Sequence, residues 1–299
     1  MSEINEKSAV REALEKELYA RIHRGEGADK TLWEAMEYSL MAGGKRVRPM
    51  LLIHTGRSLG APMELLMPFA CALEMIHSSS LIHDDLPAMD DDDYRRGRLT
   101  NHKVFGEAAA ILAGDGLLNL AYEIMADTAA KLEEPLDKSR AVRAMAYIAQ
   151  CAGAKGMMAG QIADLESEEK QIEASELTYI EFNKTSRLLM AAIKGGALLA
   201  GANEETLSML EEAAGKIGLA FQIQDDVLDV EGSFEKLGKP LGSDEKSQKA
   251  TFVSLYGLEE AKTRVRKLSE EASELVSILP GDDGRIVQIM VDQLQKRDH

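Results

Sequence analysis

Residues 82–93 read Ile-His-Asp-Asp-Leu-Pro-Ala-Met-Asp-Asp-Asp-Asp, which places six aspartates, at 84, 85, 90, 91, 92 and 93, within ten positions. Carboxylates this crowded repel and raise one another's pKa unless cations lie between them. Asp84 and Asp85 follow the run Ser80-Leu81-Ile82 on what reads as one helix, so they reach the rim of the core. A second cluster, Phe221-Gln-Ile-Gln-Asp-Asp-Val-Leu-Asp229, also ends an apolar helical segment. At about 100° per residue, Gln222, Asp225 and Asp229 fall on one helix face. Two such helix ends facing each other would line both sides of a cleft with carboxylates. Ligands that are all oxygen suit Mg²⁺, which keeps several waters and binds through one or two carboxylates plus phosphate oxygens. Zinc would also want His or Cys, and none is spaced for it.

Cations accompany the acids. Gly43-Gly44-Lys45-Arg46-Val47-Arg48-Pro49 sets three of them beside a glycine pair, and Arg95-Arg96-Gly97-Arg98 follows the first acidic cluster. Carboxylates with metal on one side and bare cations on the other imply a polyphosphate; a diphosphate would fit, since its oxygens can bridge Mg²⁺ and accept bidentate arginine bonds. No Gly-rich Walker sequence is present, which excludes a P-loop nucleotide site.

The elements that position these groups read as helices throughout. None of the prolines falls between Pro135 and Pro240. Ala108–Ala130, Arg140–Ile162 and Glu204–Val230 carry apolar residues at helical spacing and lack strand-like alternation. Breaks are expected near 25–27, 60–62, Pro87, 132–137, 166–175, 201–203, 232–247 and 280–284, leaving room for about ten or more helices. Phe69–His77 and Leu188–Ala202 are apolar on more than one face and belong at the centre of a large bundle. With no composition shift or repeat, residues 1–299 are expected to form a single all-α domain. The net charge of −16 argues against a nucleic-acid partner or an anionic membrane surface. No unbroken apolar stretch approaches roughly 18 residues, so no membrane span is expected. Met1–Arg24 is charged throughout without a signal-peptide core, so a cytoplasmic location is expected. Cys71 and Cys151 lie in apolar stretches and read as buried thiols.

Taken in order, these motifs resemble the trans-isoprenyl diphosphate synthase family, in its bacterial short-chain farnesyl and geranylgeranyl form. The likeness runs from Gly43–Pro49 through Ile76-His77, the first Asp-rich motif with Arg95-Arg96-Gly97, Asn101–Glu107, Gly114-Asp115, Gly160-Gln161, Lys184-Thr185 and the second Asp-rich motif to Leu237-Gly238-Lys239 and Lys249-Ala250-Thr251. It implies an all-α bundle around a central cavity, a homodimer, and head-to-tail condensation of isopentenyl diphosphate with dimethylallyl, geranyl or farnesyl diphosphate. By the same resemblance, Asp84, Asp90 and Asp225 would hold three Mg²⁺ ions on the allylic diphosphate, assisted by Asp85, Asp226 and Asp229. Arg95, Lys184 and Lys239 would bind that diphosphate. Lys45, Arg48, His77 and Arg96 would form the isopentenyl diphosphate pocket. Thr185 and Gln222 would stand beside the allylic cation and, with Lys184, form the catalytic group.

Product length in the family depends on the tunnel floor, often plugged by an aromatic residue just before the first Asp-rich motif. Here Ser79, the fifth residue before Asp84, stands where farnesyl synthases commonly carry Tyr, and Ser80 follows it. The small pair predicts a geranylgeranyl-type product, or a farnesyl and geranylgeranyl mixture, unless Leu118, Tyr122, Met157 or another large residue closes the floor. Milder departures are Leu99 and Val253, each at a usual proline, and the tail Arg297-Asp298-His299. Two other readings share some features. Class I terpene cyclases are also all-α with an Asp-rich helix, but lack the pocket matched by Lys45, Arg48 and His77. A non-catalytic prenyltransferase subunit would be expected to have damaged Asp motifs, and both are intact here.

Overall fold

The computed structural model describes residues 3–23, 30–167, 170, 172–231 and 251–295. Its helices are α1 (Glu3–Ile22), α2 (Lys30–Leu40), α3 (Val47–Ser58), α4 (Met63–Asp84), α5 (Asn101–Phe105), α6 (Glu107–Lys131), α7 (Pro135–Ala152) and α8 (Met157–Ser167). Then come α9 (Ala174–Glu181), a π-helical segment (Phe182–Ser186), α10 (Arg187–Ala200), α11 (Glu204–Glu231), α12 (Phe252–Tyr256), α13 (Leu258–Val276) and α14 (Gly281–Gln295). The all-α expectation holds. The one sheet among the described residues is a two-residue hairpin, Tyr94–Arg95 against Arg98–Leu99. Arg96 (φ 53°) and Gly97 (φ 75°) form its turn. Two consecutive positive φ angles match the twist of a tight hairpin.

α4 lies at the centre because it has no polar face until its end. Most of its residues from Leu65 to Ile82 are buried, between α3 and α6. α10 packs against α3, α7 and α11, and the main core joins all of these. A smaller core of Leu177, Ala220, Ile223, Val227, Phe252 and Val265 ties α9, α11, α12 and α13 together. Both cysteines are buried and unbridged, as expected.

One expectation needs correction. The predicted helix Arg140–Ile162 is two helices, because the chain turns at residues 153–156 before α8. A Cβ at Gly156 would strike the carbonyl of Cys151, so the turn requires glycine there. Among the described residues, Met63–Asp84 and Glu107–Lys131 are long and apolar enough in composition to cross a membrane, because each has a window rich in Ala and larger apolar residues with few charges. Of the most apolar window of α4, 78% is buried inside the protein, as in a core helix.

α3 and α10 touch backbone to backbone. A Cβ at Gly196 would run into the Leu52 carbonyl oxygen and come within 3.0 Å of the Gly56 nitrogen. Overpacking such a contact forces helices apart. Gly196→Ala is therefore expected to destabilise the protein by about 1–3 kcal/mol, read as a lower urea midpoint with an unchanged m-value.

Candidate active site

A cavity of about 390 Å³ opens between α4, α6, α8 and the π segment. Its deeper wall is apolar, with Ile76, Leu118, Met157 and Leu188, while Asp84, His77, Arg48, Gln161, Lys184 and Thr185 give it polar edges. Ser79 and Ser80 both line it, Ser79 being almost fully buried. Among the described residues no Phe, Tyr or Trp does so. Of the candidate floor residues, Leu118 and Met157 face the cavity, whereas Tyr122 is a half-buried neighbour of the main core.

The first Asp-rich motif folds back on itself as α4 ends. The Asp90 amide donates to the Asp84 carbonyl at 3.0 Å, returning Asp90 to the helix end. Gln161 Nε2 donates to Asp84 Oδ1 at 2.5 Å. Burial pushes the Asp84 carboxyl above its usual range; Lys184 opposes that rise and Asp90 adds to it. Asp85 is 3% exposed and accepts from Arg95 Nε at 2.6 Å. In this state Arg95 is therefore the counter-ion of Asp85.

Lys184 and Thr185 sit in the π segment, an element that often marks functional positions. The segment is gripped by neighbouring glycines. A Cβ at Gly160 of α8 would collide with the backbone of Asn183 and Lys184, and one at Gly218 of α11 with Ser186. Lys184 Nζ donates to Asp164 Oδ2 at 2.7 Å. Asp164 and Gln161 are one turn apart on α8, so this helix braces Lys184 and Asp84 together. Sequence reasoning missed Asp164, although its spacing from the Gly160-Gln161 motif is a usable signal.

On α11, Gln222, Asp225 and Asp229 are half-buried, while Ile223 and Val227 bury the opposite face in the smaller core. Gln224, Asp226 and Leu228 are half-buried as well, so burial does not single out this face, and none of Gln222, Asp225 and Asp229 lines the cavity. Asp226 is turned elsewhere, accepting the Phe252 amide at 2.6 Å. Near it lies Glu181, 4% exposed, with Oε2 buried and unpartnered among the described residues. Burial, then the Asp226 charge, pushes the Glu181 carboxyl up to about 8. Lys239, assigned to the allylic diphosphate, lies outside the described residues, as do Lys249 and the 297–299 tail.

The basic side is built on a strained loop. Gly43 (φ 85°), Gly44 (φ 121°) and Arg46 (φ 50°) are all left-handed, which for a non-glycine residue costs on the order of 1–3 kcal/mol. Lys45 is exposed, and Arg48 Nη1 donates to His77 Nε2 at 3.3 Å. Burial and then the Arg48 charge hold the His77 imidazole well below its usual range, consistent with a neutral ring that accepts this bond. Arg96 donates to the Gly43 carbonyl and packs where a Gly44 side chain would stand. Arg46 corrects the expectation of three available cations. Its side chain is 0% exposed and ion-paired with Glu15 and Glu74.

The sequence pattern of the polyprenyl synthetases matches residues 29–278. The chain belongs to the polyprenyl synthetase family. This family member is 47% identical to a farnesyl diphosphate synthase of Geobacillus stearothermophilus over 290 residues, 97% of this chain and 96% of the relative. It is 49% identical to a geranylgeranyl diphosphate synthase of Cyanophora paradoxa over 244 residues, 81% of this chain and 80% of the relative. The crystal structure of an FPP/GFPP synthase from Zymomonas mobilis superposes with a TM-score of 0.83 at 32% identity, covering 97% of this chain and 98% of that one.

Glu181 gives this polyprenyl synthetase a pH signature. Its folded value of about 8 lies above the ordinary 4.5, so its stabilising contribution is complete below about 4.5 and is lost as pH rises through 8. Urea unfolding of Glu181→Gln is expected to show a flatter pH dependence across that window and a gain in stability above pH 8. A variant with the wild-type slope would count against the assignment.

Proposed function

We propose that this polyprenyl synthetase is a Mg²⁺-dependent prenyltransferase that joins isopentenyl diphosphate head-to-tail to dimethylallyl, geranyl and farnesyl diphosphates, making farnesyl and geranylgeranyl diphosphate. The carrying observation is the apolar cavity of about 390 Å³ with Asp84, Lys184, Thr185, His77 and Arg48 at its edges. It suits a ligand with a greasy chain and an anionic head.

The donor set fits Mg²⁺. Asp84 and Asp90 offer only carboxylate oxygens, and among the described residues no three His, Cys, Asp or Glu side chains close on one point. An ion that keeps its waters and takes phosphate oxygens needs no closed protein cage. Asp84 and Asp90 would hold it from one side and Asp225 from the other, with three ions as the expected number; Asp85, Asp226 and Asp229 would assist. Bound Mg²⁺ would supply Lewis-acid stabilisation of the charge on the departing diphosphate. Lys184 and Arg95 would turn from Asp164 and Asp85 to that diphosphate, with Lys239 as a third cation. Lys45, Arg48, His77 and Arg96 would hold isopentenyl diphosphate so that its double bond faces the allylic carbon. The Thr185 and Gln222 oxygens would lie along the cation, and the apolar wall would exclude water that would quench it. The proton lost at the end would leave with the released diphosphate.

A single domain acting as a homodimer in the cytoplasm completes the reading. Only 39% of the most apolar α6 window is buried, leaving Ile111 and Leu112 exposed for a second copy. The Arg48–His77 pair favours a condensing enzyme over a terpene cyclase, which needs no second diphosphate pocket.

Incubation with Mg²⁺, isopentenyl diphosphate and each allylic diphosphate in turn, followed by mass spectrometry, tests the reaction. Twenty-carbon product from farnesyl diphosphate is expected, along with loss of turnover on chelation. Asp84→Asn is expected to lower kcat by about a hundredfold or more. No condensation by the wild-type chain would sink the reading. Ser79→Tyr is expected to shift product toward fifteen carbons, and an unchanged distribution would remove Ser79 as the limit.

A further inference from the structure

We propose that Arg46 is a positioning residue for the isopentenyl diphosphate pocket, its buried guanidinium holding a left-handed backbone turn that fixes Lys45 relative to Arg48. This rests on the substrate assignment proposed above. Arg46 precedes the first residue of α3, at φ 50° and ψ 37°. Backbone of that kind persists only when its surroundings over-determine it. Here the restraint comes from the side chain. Nε and Nη2 donate to the two Glu15 oxygens at 2.9 and 3.1 Å, Nη1 donates to Glu74 Oε1 at 2.7 Å, and Nη2 also reaches the Leu40 carbonyl at 2.7 Å.

These partners lie on α1, α4 and the end of α2, so one side chain ties three helices to one turn. Planar, five-donor geometry makes arginine suited to this, and lysine cannot reproduce it. Being fully buried, the guanidinium is not itself placed to meet a substrate.

The mechanical consequence follows from the order of residues. Val47 and Arg48 already belong to α3, so Arg46 is the joint between Lys45 and the helix that carries Arg48. Relaxation of Arg46 to negative φ would swing Lys45 away from Arg48 and its partner His77. Glu74 stands three residues before His77 on α4, so the helix that presents the histidine also holds the clamp. The loop has further holds, since Arg11 donates to the Gly44 carbonyl at 2.9 Å and Arg96 to that of Gly43. Those two hold the loop before the joint, whereas Arg46 is the joint itself.

The test is steady-state kinetics on the full chain with both substrates varied, alongside thermal melts. Arg46→Lys is expected to raise KM for isopentenyl diphosphate about tenfold while KM for the allylic diphosphate stays within about twofold. Glu15→Gln, which leaves one carboxylate on the guanidinium, is expected to give the same split at about threefold. It serves as the deciding variant if Arg46→Lys does not fold. A merely structural residue would lower the melting temperature and the amount of active enzyme without separating the two KM values. Equal changes in both, or no change in either variant that folds, would overturn the role of Arg46. A wild-type chain that elongates nothing would instead overturn the functional reading beneath it.

Discussion

Carboxylates at the rim of an apolar core cannot be left alone, and most of the site is arranged around that constraint. A buried charge without a partner neutralises or costs several kcal/mol. Asp85 therefore has Arg95, Asp84 has the Gln161 amide, and Lys184 has Asp164. Arg46 has Glu15 and Glu74 for the same reason. Each partner comes from an element other than that of the residue it serves, Gln161 and Asp164 both from α8, so the β-hairpin, α8 and α1 are held in register by the charges they serve. The same pairings keep cations and carboxylates close without a substrate. On the proposed reaction, diphosphate and metal would exchange for these partners, so that part of the electrostatic work is done before binding.

The helical fold was legible because helix is a local property. Few prolines, repeated 3.6-residue spacing and clear breaks predict α4, α6, α10 and α11 close to their observed limits. The break at 153–156 was hidden, because glycine within a periodic segment costs only about 1 kcal/mol against alanine and does not by itself end a helix. The π segment has no sequence pattern. It depends on Gly160 and Gly218, which let two other helices close on it from positions distant in the chain.

The candidate site was legible where one helix carries the pattern, as for Asp84 with His77, which both line the cavity. It was not legible where the sign of a single φ decides direction. Lys45, Arg46 and Arg48 look equivalent in the sequence, yet one is exposed, one fully buried and one beside His77. Lys184 and Asp164 likewise meet only because α8 packs on the π segment. Local spacing gave the chemistry its residue types, and tertiary contact chose which of them face the cavity.

α4 joins the two halves of the proposed chemistry in one rigid element. Asp84 ends the helix, Ser80 and Ser79 lie one turn below it, and Ile76 about one turn further down. At a rise of 1.5 Å per residue, Ser79 lies about 7.5 Å and Ile76 about 12 Å along the axis from Asp84. A diphosphate anchored at the helix end would measure its hydrocarbon tail against this scale. With two serines in the first turn, the helix itself sets no stop there, and the large groups of the deeper wall are Ile76, Leu118, Met157 and Leu188. Met157 is unbranched and adaptable, so the far wall from α8 gives more readily than the α4 backbone. On the proposed reaction, product length would then depend on how α8 packs against the π segment, the same contact that sets Lys184.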